Sequence, residues 1–436
     1  MPPQPAAADL GESPDRAVRD TPTSRRPADG LQVAGNRPKA RSPHLGQGQV
    51  VNWDDYLVGA ATDTGLRRSN NQDSHAVVPA PSEGVWTQRG HLFMVADGMG
   101  AHAVGELASK LACDNIPHHY AKSKKDTPVE AITKAFRQVG ALIHGKATAN
   151  KDFAGMGTTC SSLILLPQGA LIAHVGDSRV YRIRGPLIEQ FSFDHSLVWE
   201  LIRRNHLSSE NESRAIPKNV ITRSLGPDPS VEVDIEGPFA VQTGDTFLIC
   251  SDGLSGPVTD PELGALASSF APEDACRYSV QLANLRGGHD NITVVIVRIG
   301  PWVDPDHPDA AGSPGSDAPA TARRGLMSRL GGMILGGKAR KEDDAVEEKP
   351  YRTASAEINP ELLDNLEDLV RRAQAAAVEQ AWSVDWIELS VYRRQIAEAR
   401  KAGNLRASLR GICESIVVLG QAARVHRKAG GPAIVI

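Results

Sequence analysis

No stretch of this chain approaches the roughly eighteen consecutive apolar residues that a membrane-spanning helix needs. The N-terminal region also lacks an apolar core of signal-peptide length. Cysteine is scarce: Cys113, Cys160, Cys250, Cys276 and Cys413 lie far apart, with no C-x-x-C pair. That spacing argues against a disulfide framework or a zinc site and for reduced thiols in a cytoplasmic protein. Charge of one sign is missing too. Lys and Arg number 48 against 52 Asp and Glu, a net −4, so no basic field points to nucleic acid. No internal repeat of usable strength is present. What remains is a mixed-composition chain of 436 residues, long enough for two or three domains.

Composition divides the chain into four parts. Residues 1–50 are dominated by Pro, Ala, Arg, Asp and Gly and predict a disordered arm, because too little apolar surface is available to offset ordering entropy. Residues 51–302 alternate apolar runs with turn residues and form the main domain. Residues 303–356 return to Pro, Gly, Ser and charge and predict a flexible linker. Within it Leu326, Met327 and Leu330 sit among Arg323, Arg324 and Arg329, but interspersed glycines favour linker over a membrane-surface helix. Residues 357–430 carry helical stripes: Leu362, Leu366, Leu369 and Ala373, then Leu389 and Ile396, then Leu405, Leu409, Ile412, Ile416 and Leu419. They predict a small three-helix bundle starting at Asn359-Pro360, with dimerisation or adaptor docking as its expected role.

In the main domain, short apolar runs bounded by turn signals predict strands near 57–62, 92–96, 159–166, 171–175, 246–250 and 291–297. Gln168-Gly169 reads as a hairpin turn. Helical patterns fall near 103–118, 128–149, 196–205, 261–268 and 272–285. Strands come mostly in pairs rather than in strict β-α-β alternation, which favours an antiparallel sheet core flanked by helices, an α+β class.

The chemistry sits at the strand ends. Ala96-Asp97-Gly98-Met99-Gly100, Val175-Gly176-Asp177-Ser178-Arg179, Cys250-Ser251-Asp252-Gly253 and His289-Asp290-Asn291 each set an aspartate among small or polar neighbours beside an apolar run. A lone Asp-Gly is usually a turn. Several carboxylates held this way suit hard, oxygen-seeking cations such as Mg²⁺ or Mn²⁺ and point to a multi-metal hydrolase.

Taken in order, R-x-x-N-x-D (Arg68 to Asp73), A-D-G-M-G, G-T-T, V-G-D-S-R, D-H-S, T-R-S-L-G, C-S-D-G-L and H-D-N-I-T-V resemble the metal-dependent type-2C serine/threonine protein phosphatases, the PPM family, in its bacterial branch. The resemblance runs from about Tyr56 to Ile299. It implies a four-layer α-β-β-α sandwich of two antiparallel sheets with a dinuclear Mg²⁺ or Mn²⁺ centre at one end. Carried over, Asp97 bridges the metals, the Gly98 carbonyl ligates the second, and Asp252 and Asp290 complete the first. Gln72 and Asp73 act from further out, and Asp177 with Asp252 matches a third, weaker site. Arg68 matches the arginine that grips substrate phosphate, a role suited to a planar guanidinium. The implied substrates are phosphoserine and phosphothreonine proteins, with a cognate Ser/Thr kinase as counterpart.

A general acid is expected to be a histidine. His102, shortly after Asp97, is the candidate, although Gly100-Ala101-His102 stands where the family carries two glycines before the histidine. His195 and His289 stay open between structural and functional roles. Asp194 reads as a helix cap, and Asp177 has the alternative of bracing its hairpin through Arg179. The polar stretch from Leu197 to Val220 corresponds to the family's variable flap. The alternative to an enzyme is a weak pseudophosphatase serving as a phosphoprotein-binding scaffold through its helical tail.

Overall fold

The computed structural model describes residues 53–100, 104–203, 220–304 and 351–432. Two six-stranded sheets, all antiparallel, form its centre. In the first, β1 (Tyr56–Asp63), β11 (Ile292–Ile299), β10 (Thr246–Cys250), β7 (Arg179–Arg184), β8 (Leu187–Gln190) and β12 (Arg352–Ser355) lie in that order. The second runs β2 (Asp73–Val78), β3 (His91–Met99), β5 (Cys160–Leu166), β6 (Gly169–Val175) and β9 (Asp234–Phe239), with the short β4 (Gly157–Thr158) also on β3.

Period-two alternation explains how these strands serve two cores at once. On β3, Leu92, Met94 and Ala96 pack under α2 (Val104–Lys122) and α3 (Pro128–Ala149). Phe93 and Val95 point the other way, into the layer between the sheets, where they meet Phe247, Ile249, Val295 and Val297. The outer face of the first sheet, through Leu248, Val294 and Ile296, buries against α6 (Asp260–Ser269) and α7 (Pro272–Leu285). The four layers expected from the sequence are therefore present.

The helix signals behave as their chemistry dictates. Thr127 caps α3 with a full capping box to Glu130, and Pro128 opens it. The strands near 57–62, 92–96, 159–166, 171–175, 246–250 and 291–297 all form. β2, β7, β8 and β9, and the short α1 (Glu83–Arg89), were not signalled, because their charged or glycine-containing sequences hide the alternation.

Two expectations need correction. The end of the supposed linker is a strand: β12 pairs with β8, and Tyr351 beside it stacks on Phe193 with centroids 5.6 Å apart. The C-terminal helices α8 (Pro360–Glu379), α9 (Trp386–Lys401) and α10 (Leu405–Lys428) do begin at the Asn359 cap. α10 packs on both α8 and α9, as in the expected bundle, but their core is continuous with that of the main domain. Leu363, Leu366, Leu409, Ile412 and Leu419 belong to the same buried cluster as α6, α7 and the first sheet. A stripe at helical spacing fixes which face is buried but not against what. Residues 1–52 and 305–350, holding the expected arm and most of the linker, lie outside the described residues, as do 204–219 of the flap.

Candidate metal centre

The aspartates collect at one end of the two sheets. Asp97 follows Phe93 and Val95 on the inward face of β3, and Asp73 is its direct partner across β2. Asp177 follows the end of β6, Asp252 follows β10, and Asp290 precedes β11. Like charges directly opposite one another destabilise a sheet, so this pairing asks for a compensating cation.

Polar neighbours hold the carboxylates in place. Ser251 donates from Oγ to Asp73 Oδ2 at 2.7 Å and accepts from the Thr293 backbone N–H at 3.0 Å, tying the sheets together beneath the site. Thr159 explains the G-T-T motif: its Oγ1 accepts from Asp97 N at 2.9 Å and shares a hydrogen bond with Ser178 at 2.8 Å. Thr158 Oγ1 donates to the Asp97 carbonyl at 2.8 Å. Asn291 is buried and fastens the loop between β1 and β2. Its Oδ1 accepts from Gln72 N at 2.8 Å, and its Nδ2 donates to the Thr64 and Asn70 carbonyls, each at 3.0 Å. Two glycines permit close backbone approach: a Cβ on Gly98 would stand 2.1 Å from Gly105 O, and one on Gly253 1.9 Å from Asn291 O. Ser251, Thr158, Thr159 and Asn291 all lay inside recognised motifs without an assigned role. For Ser251 and Asn291 a small polar residue next to an aspartate was the available signal, whereas Thr158 and Thr159 adjoin none.

Electrostatics agrees. Burial, then the charges of Asp73, Asp252, Asp177 and Asp290, pushes Asp97 well above the usual carboxylate range. Burial lifts Asp73 to about 7, against hydrogen bonds from Ser251 and Thr293. Burial, with Asp252 and Asp194 nearby, lifts Asp177 to about 8. Asp252 is raised by burial and Asp290, partly offset by a hydrogen bond with Asp97. Asp73, Asp177 and Asp252 each keep a buried Oδ1 without a hydrogen-bond partner. Unpaired buried carboxylate oxygens are costly unless protons or cations sit beside them. Among the described residues no group of three or more His, Cys, Asp or Glu side chains is arranged to hold a metal by itself. Carbonyl oxygens and water would have to complete each site, as suits Mg²⁺-type ions.

Arg68 lies at this end and pairs with Asp290 at 2.7 Å, with both side chains substantially exposed, 49% and 36%. His102 lies outside the described residues. His195 is buried and anchored: Nδ1 accepts from Gly176 N at 3.0 Å and Nε2 faces Asp234 Oδ2 at 3.0 Å, which places it as a support for the Asp177 turn. His289 is exposed beside Gly287. Asp194 is not a cap. It accepts from Arg179 Nε and from Nη2 at 2.6 Å, while Ser196 Oγ accepts from Trp199 N at the start of α4 (Leu197–Arg203). A buried guanidinium needs a fixed anion, and Asp194 is where Arg179 finds it, not Asp177.

The comparisons with known proteins fit this geometry. Residues 66–285 match the family model described as protein phosphatase 2C. The chain is 33% identical over 248 residues to protein phosphatase PhpP of Streptococcus pneumoniae, covering 56% of this chain and 97% of that one. It is 35% identical over 243 residues to the serine/threonine phosphatase stp of Listeria innocua, covering 54% and 93%. The solved serine/threonine phosphatase of S. agalactiae superposes with a TM-score of 0.51 at 30% identity, covering 56% of this chain and 99% of its own. With carboxylates, guanidinium and sandwich in the order the motifs require, this chain belongs to the protein phosphatase 2C family.

Proposed function

We propose that this serine/threonine protein phosphatase hydrolyses phosphoserine and phosphothreonine at the carboxylate cluster between the sheets, with Mg²⁺ or Mn²⁺ as its ions. The family is metal-dependent. Asp97 would be shared by two ions, the Gly98 carbonyl would serve the second, and Asp252 and Asp290 the first. Asp73 would act from one step further out, and Asp177 with Asp252 would hold a third. Bound there, the ions supply a lowered water pKa and charge to offset the phosphoryl oxygens.

The chain's own groups do the rest. Arg68 presents two parallel donors to the phosphoryl oxygens. Its pair with Asp290 is exposed and so worth little, which leaves the guanidinium ready to exchange that partner for substrate. His102 is the proposed proton donor to the leaving alkoxide. No covalent phospho-enzyme is proposed: all five cysteines are buried, and burial pushes the Cys250 thiol up to about 12, far from a thiolate nucleophile. Those free thiols also support a cytoplasmic setting, with a cognate Ser/Thr kinase as the source of substrates.

The observation that carries this reading is the set of unpartnered buried oxygens on Asp73, Asp177 and Asp252. The test is Asp252→Asn, assayed with p-nitrophenyl phosphate and with Mn²⁺ calorimetry. The rate should fall by about 10²–10³-fold, the scale of losing one charge-stabilising group, and Mn²⁺ affinity should fall with it. Full activity in that variant would place the chemistry elsewhere. Loss of rate with Mn²⁺ affinity unchanged would remove Asp252 from the ligands.

A further inference from the structure

Helix α10 lies beyond the 66–285 span that matches the family, yet it reaches the substrate end of the site. Arg424, near its C-terminal end, donates through Nη2 to Asp63 Oδ1. Asp63 is the last residue of β1, and its side chain is only 10% exposed. The same oxygen accepts from Gly65 N at 2.8 Å and Asn284 Nδ2 at 3.3 Å. The Asp63–Gly65 bond forms the turn that launches the loop carrying Arg68. Gly65, at φ +77°, passes so close to Asp290 that a Cβ there would stand 2.2 Å from the Asp290 carbonyl oxygen. Leu66 N and Arg67 N then donate to the Gly288 carbonyl at 2.8 and 3.2 Å. The base of the loop is thus built from Asp63, Gly288 and Asp290, and one of the donors fixing it comes from outside the catalytic fold.

The tie is not needed merely to dock the helix. At its other end Arg410 bonds Asp304 at 2.7 Å, and midway Glu414 accepts from Arg277 Nη2 at 2.8 Å. The apolar stripe of α10 is already buried against α7 and α8. At about 1.5 Å per residue, Arg424 stands about 20 Å along the helix from Arg410. It delivers a charge to the one carboxylate oxygen on which the Arg68 loop turns.

We propose that Arg424 is a positioning residue for Arg68, so that docking of the C-terminal helices sets the affinity for the phosphoryl group. This rests on Arg68 as the phosphate-gripping residue. The experiment uses the full chain at saturating Mn²⁺, with p-nitrophenyl phosphate as substrate, inorganic phosphate as competitive inhibitor, and a thermal melt of each variant. Arg424→Ala should raise KM and the phosphate inhibition constant together by about 3- to 20-fold, the range for mutations that act through a connected network. Its kcat should change by less than about twofold, since the reacting groups are untouched. Arg424→Lys, which keeps the charge, should fall between Arg424→Ala and the natural protein. In an Arg68→Ala background, Arg424→Ala should add nothing further to KM. If Arg424→Ala unfolds the chain, Asp63→Asn, which leaves α10 intact, must show the same rise in both constants. Unchanged constants in Arg424→Ala, alongside raised ones in Arg68→Ala, would overturn the proposal while keeping Arg68 in its role. A lowered melting temperature with unchanged constants would overturn it as well, leaving a purely structural tie. If Arg68→Ala itself moves neither constant, the underlying role of Arg68 fails instead.

Discussion

Asp73 and Asp97 face each other across β2 and β3, and burial, with the neighbouring carboxylates, raises the proton affinity of both. Without cations, Asp73 is lifted to about 7 and Asp177 to about 8, above the value near 4 of an unfolded carboxylate. The folded form then holds protons that the unfolded form has already lost. Their contribution is full below about pH 4 and is lost progressively as pH rises from there through 7 to 8. In EDTA, the urea-unfolding free energy should therefore decline between about pH 4 and 8, by at most about 1.4 kcal/mol per pH unit for each proton, and level off above that. With Mn²⁺ the decline should vanish, because cations take the place of protons. A flat profile in EDTA would mean that these carboxylates are not crowded. Asn291 offers a second test at this scale. Asn291→Ala removes three hydrogen bonds to the Arg68 loop and leaves buried backbone groups unpaired. It should cost about 2–4 kcal/mol in chemical denaturation and raise KM more than it lowers kcat.

Elements matter here through how closely their ends approach. β10 and β11 are adjacent in the first sheet, and the turn after β10 touches the start of β11 at Gly253 and Asn291. Gly253→Ala would push a methyl against the Asn291 carbonyl, a contact that only a backbone shift relieves. A loss of about 3 kcal/mol or more is expected in urea unfolding, with activity falling further because Asp252 and Asp290 flank that contact. A neutral Gly253→Ala would show that the two strand ends are looser than the structure indicates. Strand ends also explain why Ser251 and Thr293 are polar: they continue the inward faces of β10 and β11 to the point where the apolar core gives way to the site.

At the scale of the whole molecule, the C-terminal helices are part of the enzyme's outer layer. Leu363, Leu366, Leu409, Ile412 and Leu419 share one buried cluster with Leu266, Cys276 and Leu282. β12 extends the first sheet beyond β8. A chain ending near residue 303 should therefore expose apolar surface on α7 and melt at lower temperature than the full protein. A loss of even about 3 kcal/mol would move a domain of this size by about 6–12 °C. Equal melting temperatures for the two forms in scanning calorimetry would show the helices to be separable.

The sequence by itself determined the strand-end aspartates, the order of the motifs, the family and most helix boundaries. Those features depend on local chemistry: β-branched runs, capping residues, and small neighbours beside a carboxylate. Strands such as β7, which carries three arginines, show no apolar alternation because their charges are satisfied by partners on other strands and turns: Arg182 by Glu189 across the hairpin, and Arg184 by the sequence-distant Asp245. Tertiary structure alone decided that Asp194 serves Arg179, that His195 supports the Asp177 turn, and that Arg424 reaches Asp63. It also decided that the C-terminal stripes bury against α7 as well as against one another. A helical stripe records only that one face avoids water, and a charged side chain records only that it needs a partner. Which surface and which partner are fixed by the chain's path through space, between residues as far apart in sequence as Asp63 and Arg424.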